Sequence, residues 1–240
     1  MHRDTQNVIL LLLGATLVRI TADDTVLRYV RPGHRWWVLG AGIVIVLLAA
    51  VAALRDHVPR LLGRSGRSPA GHAHGGPERH AAWLMVVPAI VLAVAAPAAL
   101  GADAVTRTPL PDAAPVDVRY APLPPGSAPE LTLTEFVGRA GSDGGATLAG
   151  RTVTLTGFAV PGGEAPRLAR IAISCCAADA RPQTVRLVGG AGPAHVPPDT
   201  WLRVRGVLQP GSASSATRWV PAVQVASVEV VPVPVDPYEY

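Results

Sequence analysis

The most restrictive feature of this chain is an uncharged run at residues 36–54, "WWVLGAGIVIVLLAAVAAL". About 20 apolar residues are enough for a helix to cross the hydrocarbon core of a bilayer. Trp36 and Trp37 stand at its entrance, where aromatic belts form, and Arg35 and Arg55 bracket it. A segment of this kind commits its part of the chain to an α-helical membrane anchor. Any soluble domain must be built from what remains.

Two further apolar blocks flank it. Residues 81–102, "AAWLMVVPAIVLAVAAPAALGA", carry no charge, and their two prolines, Pro88 and Pro97, can be absorbed by neighbouring helices in a membrane. The first block is shorter: residues 8–18 are apolar before Arg19 interrupts. A secretory signal peptide is the competing reading there, because His2 and Arg3 precede a short apolar core. No small-x-small cleavage site follows it, and Arg19 can snorkel to the headgroups from a span of about 8–22. The expectation is therefore a multi-pass bilayer protein with about three transmembrane helices, at 8–22, 36–54 and 81–102.

Charge follows the same partition. Residues 1–102 hold ten Arg against five acidic residues, and residues 103–240 hold eleven Arg against twelve. The positive excess thus belongs to the membrane-proximal part and not to the soluble domain, which speaks against nucleic acid as a partner. Five arginines crowd the 55–80 loop, the densest cluster in the chain. That cluster favours a cytoplasmic loop and an extracytoplasmic C-terminal domain. The same loop contains His72, His74 and His80 in "AGHAHGGPERH". A His-x-His pair in such a tract can chelate a metal weakly, or the tract is a polar linker that contains histidines.

Residues 103–129 are rich in Pro and Ala and read as an extended spacer. Residues 130–240 read as a soluble β domain. Strand patterns occupy 151–160, 168–174, 183–188, 200–208 and 219–231, with a shift of alternation near Ala226 that predicts a bulge. "VTLTGFAV" and "LRVRGVL" each place a glycine after alternating apolar residues, as happens where a strand coils round a small barrel. Five short strands without a long helical period among them predict an OB-like barrel, with a small sandwich as the alternative.

The only two cysteines, Cys175 and Cys176, are adjacent in "RIAISCCAADARP". Neighbouring Cα atoms lie about 3.8 Å apart, below the usual spacing of disulfide-bonded residues. Continued strand geometry would put Cys175 with Ile171 and Ile173 on the inner face, and Cys176 with Arg170 on the outer. Three readings stay open. Cys175 is a small core residue and Cys176 is incidental; or the pair forms a soft-metal or metalloid site with Asp179 and a histidine; or it performs thiol redox chemistry, with Arg170 stabilising a thiolate at Cys176. No Ser-His-Asp arrangement, phosphate loop or carboxylate pair stands out, so an enzymatic role is not expected.

Several strings together carry a resemblance. "LRYVRPGHRWW" (27–37), "APAALGADAVTR" (96–107), "GRTVTLTGFAV", "RIAISCCAADARP", "TWLRVRGVLQ" and the terminal "DPYEY" make the chain similar to the YcgQ-like permease-subunit family of bacterial membrane proteins. The resemblance implies a cell-membrane protein that works as an accessory subunit beside a YraQ-type permease, a type related to metalloid exporters. The family's distinctive motif maps here onto Cys175, Cys176 and Asp179. The family's histidine-rich loop is often longer than the three histidines of this chain.

Overall fold

The computed structural model describes residues 3–61, 98–110, 118–142, 144–161, 165–189 and 196–240. The chain divides into two compact units, Met1–Ala98 and Ala99–Tyr240.

In the first unit, helix α1 (Arg3–Ala22) is followed by an elbow and then helix α2 (Arg35–Leu61). The elbow holds two 3₁₀ turns, Thr25–Arg28 and Pro32–His34; Val26 and Leu27 of the first are buried, and an Asp24–Arg35 ion pair spans 2.5 Å across the elbow. The two helices meet at glycines. A Cβ on Gly14 would lie 2.7 Å from Val46 Cγ2, and one on Gly42 would lie 3.1 Å from both Leu17 and Val18. Small residues at a crossing let two backbones approach closely, which is how helices associate where lipid supplies no hydrophobic drive. The outward surface of the pair is apolar, with Leu47, Leu48, Leu54, Trp36 and Trp37 exposed.

Pro32–Arg55 is the one described helical stretch long and apolar enough to cross a membrane, with a mean hydropathy of 2.7. Helix α1 falls short: its apolar part, Gln6–Ala22, stays below the length that spans. Of the three spans expected from sequence, 36–54 thus has its counterpart, and 8–22 lies within a shorter apolar helix. Most of 81–102 lies outside the described residues, as do His72, His74 and His80. Leu100 and Ala102, at the tail of that expected span, belong to the second unit.

The second unit is built round a small closed β-barrel. Its strands are β1 (Glu130–Leu131), β2 (Thr152–Val160), β3 (Arg167–Ala172), β4 (Arg181–Val188), β5 (Trp201–Leu208), β6 (Ala222–Val230) and β7 (Tyr238–Glu239). Five of them close a ring, β2–β5–β6–β4–β3 and back to β2, in which β4 and β6 run parallel and the other pairs antiparallel. The remaining two add short parallel edges, β1 on β2 and β7 on β3.

Both barrel glycines sit at close approaches. A Cβ on Gly157 would come within 2.5 Å of the Ala169 carbonyl oxygen, and one on Gly206 within 2.5 Å of the Gln224 carbonyl oxygen. The β5–β6 register pairs Arg205 with Ser227 and Gly206 with Val225, leaving Ala226 as the extra residue of a bulge where the sequence predicts one.

The interior is filled by alternate residues of the ring, including Leu155, Leu168, Val185, Leu202, Val204 and Val223. One end is closed by helix α4 (Leu133–Ser142), which inserts Leu133, Phe136 and Ala140. A second apolar cluster covers the outside of β2 and β3. There Phe158, Ile171, Ile173 and Trp201 meet Ala102 and Val105 of a short helix, α3 (Ala102–Arg107). Phe158 and Trp201 contact edge to face at 5.6 Å.

The 103–129 segment, expected as an extended spacer, instead begins as helix α3 and bends at residues 125–128, and its end is tied to the barrel. Thr154 N donates to Pro129 O at 2.9 Å, and Thr154 Oγ1 to Ala128 O at 3.0 Å. Arg151 reaches the carbonyls of Pro124 and Gly126, each at 3.2 Å. Tyr120 lies against α4, where Gly138 leaves room for its hydroxyl and the Arg139 guanidinium stands over its ring at 4.8 Å. Arg139 is 3% exposed, and its charge is met by Glu135 at 2.6 Å.

Candidate functional site

Strand β3 ends at Ala172, two residues earlier than the alternation of "LARIAIS" implies. Ile171 and Ile173 pack in the outer cluster and not in the barrel interior, so the face expected for Cys175 is not the barrel core. The strand geometry does not reach the cysteines at all. After Ile173 the chain bends at Ser174 and Cys175 and enters a single 3₁₀ turn, Ala177–Asp179. Cys175 is exposed and Cys176 half-buried, and neither is disulfide-bonded. The expectation of opposite faces is therefore corrected: the turn swings both thiols to one side, with their sulfurs 3.6 Å apart.

The organiser of this turn is Asp179. Its Oδ1 accepts the backbone N–H of Ser174 at 2.7 Å, and its Oδ2 accepts those of Cys175 at 2.8 Å and Cys176 at 3.4 Å. In return, the N–H of Asp179 donates to the Cys176 carbonyl at 3.0 Å. Such a reciprocal box satisfies amides that a tight turn otherwise leaves without partners. It also fixes the direction of the two thiols, because the backbone on either side of them is pinned to one carboxylate. The sulfurs and the carboxylate oxygen lie within 4.8 Å of one another, a grouping of ligand types that can hold a metal ion.

The electrostatics follow from the same contacts. Hydrogen bonding to the Asp179 carboxylate is the largest influence on the Cys175 thiol and, with the Cys176 sulfur, pushes its pKa up to about 11. The Asp179 carboxyl is held down to about 2, by the Cys175 thiol first and by the amides of Ser174 and Cys175 after it. At neutral pH Cys175 is thus a protonated thiol beside a carboxylate. A soft ion can displace that proton, but the thiol is a poor resting nucleophile.

Arg170, expected to support a thiolate at Cys176, is engaged elsewhere. Its guanidinium donates to the carbonyls of Asp236 at 2.9 Å and Tyr238 at 3.3 Å, stacks over Trp201 at 5.2 Å and lies 4.0 Å from Glu239. It anchors the C-terminal segment.

That segment holds residues whose work the sequence reading missed. Glu239 is 5% exposed, and its carboxylate caps α4 from more than a hundred residues away. Leu133 N, Thr134 N and Thr134 Oγ1 donate to it at 2.8, 2.8 and 2.7 Å. Thr132 completes the cap by accepting Glu135 N at 3.0 Å. The local signal was present: "TLTE" is a Ser/Thr-x-x-Glu helix start followed by buried Phe136. Tyr238 accepts the N–H of Leu100 at 3.1 Å through its hydroxyl, and Asp199 accepts that of Ala102 at 2.6 Å, which fixes α3.

Fold and site together define a class: a chain with an apolar N-terminal helix fit to enter a bilayer and a small closed barrel that displays a vicinal thiol pair on an ordered turn. Residues 145–240, which include all five ring strands and the thiol turn itself, match the DUF1980 C-terminal domain. No curated protein and no solved structure matches the chain.

Proposed function

We propose that the protein is a non-enzymatic, membrane-anchored accessory subunit of a two-component permease, whose barrel presents the Cys175–Cys176 turn to the transported ion near the substrate mouth. The observation that carries this reading is the convergence of Cys175, Cys176 and Asp179 on one exposed turn. A pair of thiols beside a carboxylate suits soft-metal or metalloid cargo. The apolar helix Pro32–Arg55 supports residence in the cell membrane. The partner, a YraQ-type permease, comes from the resemblance of the sequence motifs. The barrel is OB-like in this reading, supported by its ring order and by the parallel pairing of β4 with β6. An OB-like barrel serves many ligands, and the near-neutral charge of this one gives no footprint for nucleic acid.

The thiol-redox alternative is the weaker one. Arg170 is bound to the C-terminal segment, and the carboxylate beside Cys175 disfavours its thiolate. Co-purification of the full chain with the YraQ-type permease from bacterial membranes in mild detergent tests the proposal. Association that survives Cys175→Ser, combined with loss of transport, is the expected result. Absence of association across several detergents would refute the subunit role.

A further inference from the structure

Resting on the ion-presenting reading of the turn, we infer that it binds one thiophilic divalent cation of tetrahedral preference, such as Zn2+ or Cd2+, through both thiolates and Asp179 Oδ1, and leaves the fourth position open to an outside ligand. The separation of the sulfurs selects the geometry. With metal–sulfur bonds of about 2.3 Å, sulfurs 3.6 Å apart subtend an angle of roughly 103° at the metal, close to tetrahedral. A linear two-coordinate ion with bonds of that length would need the sulfurs about 4.6 Å apart. The turn as built is too narrow for a linear ion and already near the bite of a tetrahedral one.

The carboxylate has a defined share in this arrangement. Of the backbone amides, Oδ2 accepts those of Cys175 and Cys176, whereas Oδ1 accepts one, that of Ser174. A carboxylate oxygen offers two acceptor directions, so Oδ1 keeps one for a cation. Asp179 can therefore ligate without releasing the backbone that aims the thiols. Among the described residues no further His, Cys, Asp or Glu joins the group, and Cys175 is exposed. Three protein ligands with an open fourth position distinguish exchanging sites from closed structural ones. Binding is a proton-for-metal exchange: two S–H bonds break, two S–metal bonds form, and both protons leave to solvent without electron transfer.

The test is a Cd2+ titration of the reduced full chain in detergent, following the ultraviolet thiolate-to-cadmium charge-transfer band with metal analysis. The expected result is one Cd2+ per chain and a band of two-thiolate intensity, lost in both Cys175→Ser and Cys176→Ser. Asp179→Asn should weaken binding at least about tenfold. Substituted Co2+ should give a tetrahedral visible spectrum that shifts when imidazole is added. One Cd2+ per two chains with four-thiolate intensity, a serine variant that keeps the band, or a Co2+ spectrum indifferent to imidazole would each overturn the assignment. Loss of Cd2+ binding with intact permease co-purification refutes the ion site alone, and the reverse result refutes the subunit role alone.

Discussion

Asp179 acts on this site twice, as the acceptor that holds the turn and as the charge that keeps Cys175 protonated. Asp179→Asn removes the negative charge and one of the two acceptor oxygens, while its remaining carbonyl can still accept part of the turn's backbone amides. Without that charge the Cys175 pKa falls from about 11 towards its ordinary value of 9.0. Alkylation of Cys175 at pH 8, followed by mass mapping of its peptide, should then accelerate by about an order of magnitude or more. An unchanged rate would show that the carboxylate does not govern the thiol. The carboxyl itself has a folded pKa of about 2 against a reference of 3.8. Because that value is depressed, the stability it contributes is present above about pH 4 and is lost as pH falls through about 2. A carboxyl-carbon NMR titration assigned to Asp179 should show a midpoint near 2, and a midpoint near 4 would mean that the amide contacts do not form.

At the scale of elements, the barrel was legible in the sequence and its accessories were not. Each ring strand announces itself by alternation, and Gly157, Gly206 and the Ala226 bulge are local marks of strong coiling. Gly157→Ala or Gly206→Ala should therefore cost about 1–3 kcal/mol or more, since the added methyl meets a backbone carbonyl that cannot yield. Thermal melting of the full chain would read this as a lowered barrel transition, and a melt unchanged in both variants would contradict the close approaches. Helix α4 escaped because it is short and its buried side starts only at Leu133, among strand-forming neighbours. Its cap could not be foreseen at all, because the capping carboxylate of Glu239 is contributed from the far end of the chain. The position of Cys175 escaped for a related reason. Where β3 stops is decided by Asp179 pulling on the amides of residues 174–176, a contact that alternation does not encode. Glu239→Ala leaves the buried amide of Leu133 and the part-buried amide of Thr134 without their partner, and should destabilise the barrel by roughly 1–3 kcal/mol. Glu239→Gln, which keeps an acceptor but removes the charge at the helix start, should cost less. Equal losses in the two variants would mean that the packing of this side chain matters and its hydrogen bonds do not.

Across the whole molecule, the sequence divides its labour by charge and hydropathy. The first unit holds the apolar helix and the excess of arginine; the second holds the barrel, with acidic and basic residues nearly matched. Arginine cannot cross a membrane cheaply, so the arginine-rich residues 55–80 are expected on the cytoplasmic side. If a further span lies between those residues and the barrel, within the apolar run 81–98, the barrel and its thiols emerge on the opposite face. A membrane-impermeant maleimide applied to intact cells in reducing medium should then label the wild-type chain, while a Cys175→Ser, Cys176→Ser double variant should stay blank. The chain has no other cysteines, so the label reports this turn alone. Labelling only after the cells are permeabilised would put the barrel in the cytoplasm and remove the third span. An ion bound by these thiols would in that case be met on the cytoplasmic side of the membrane.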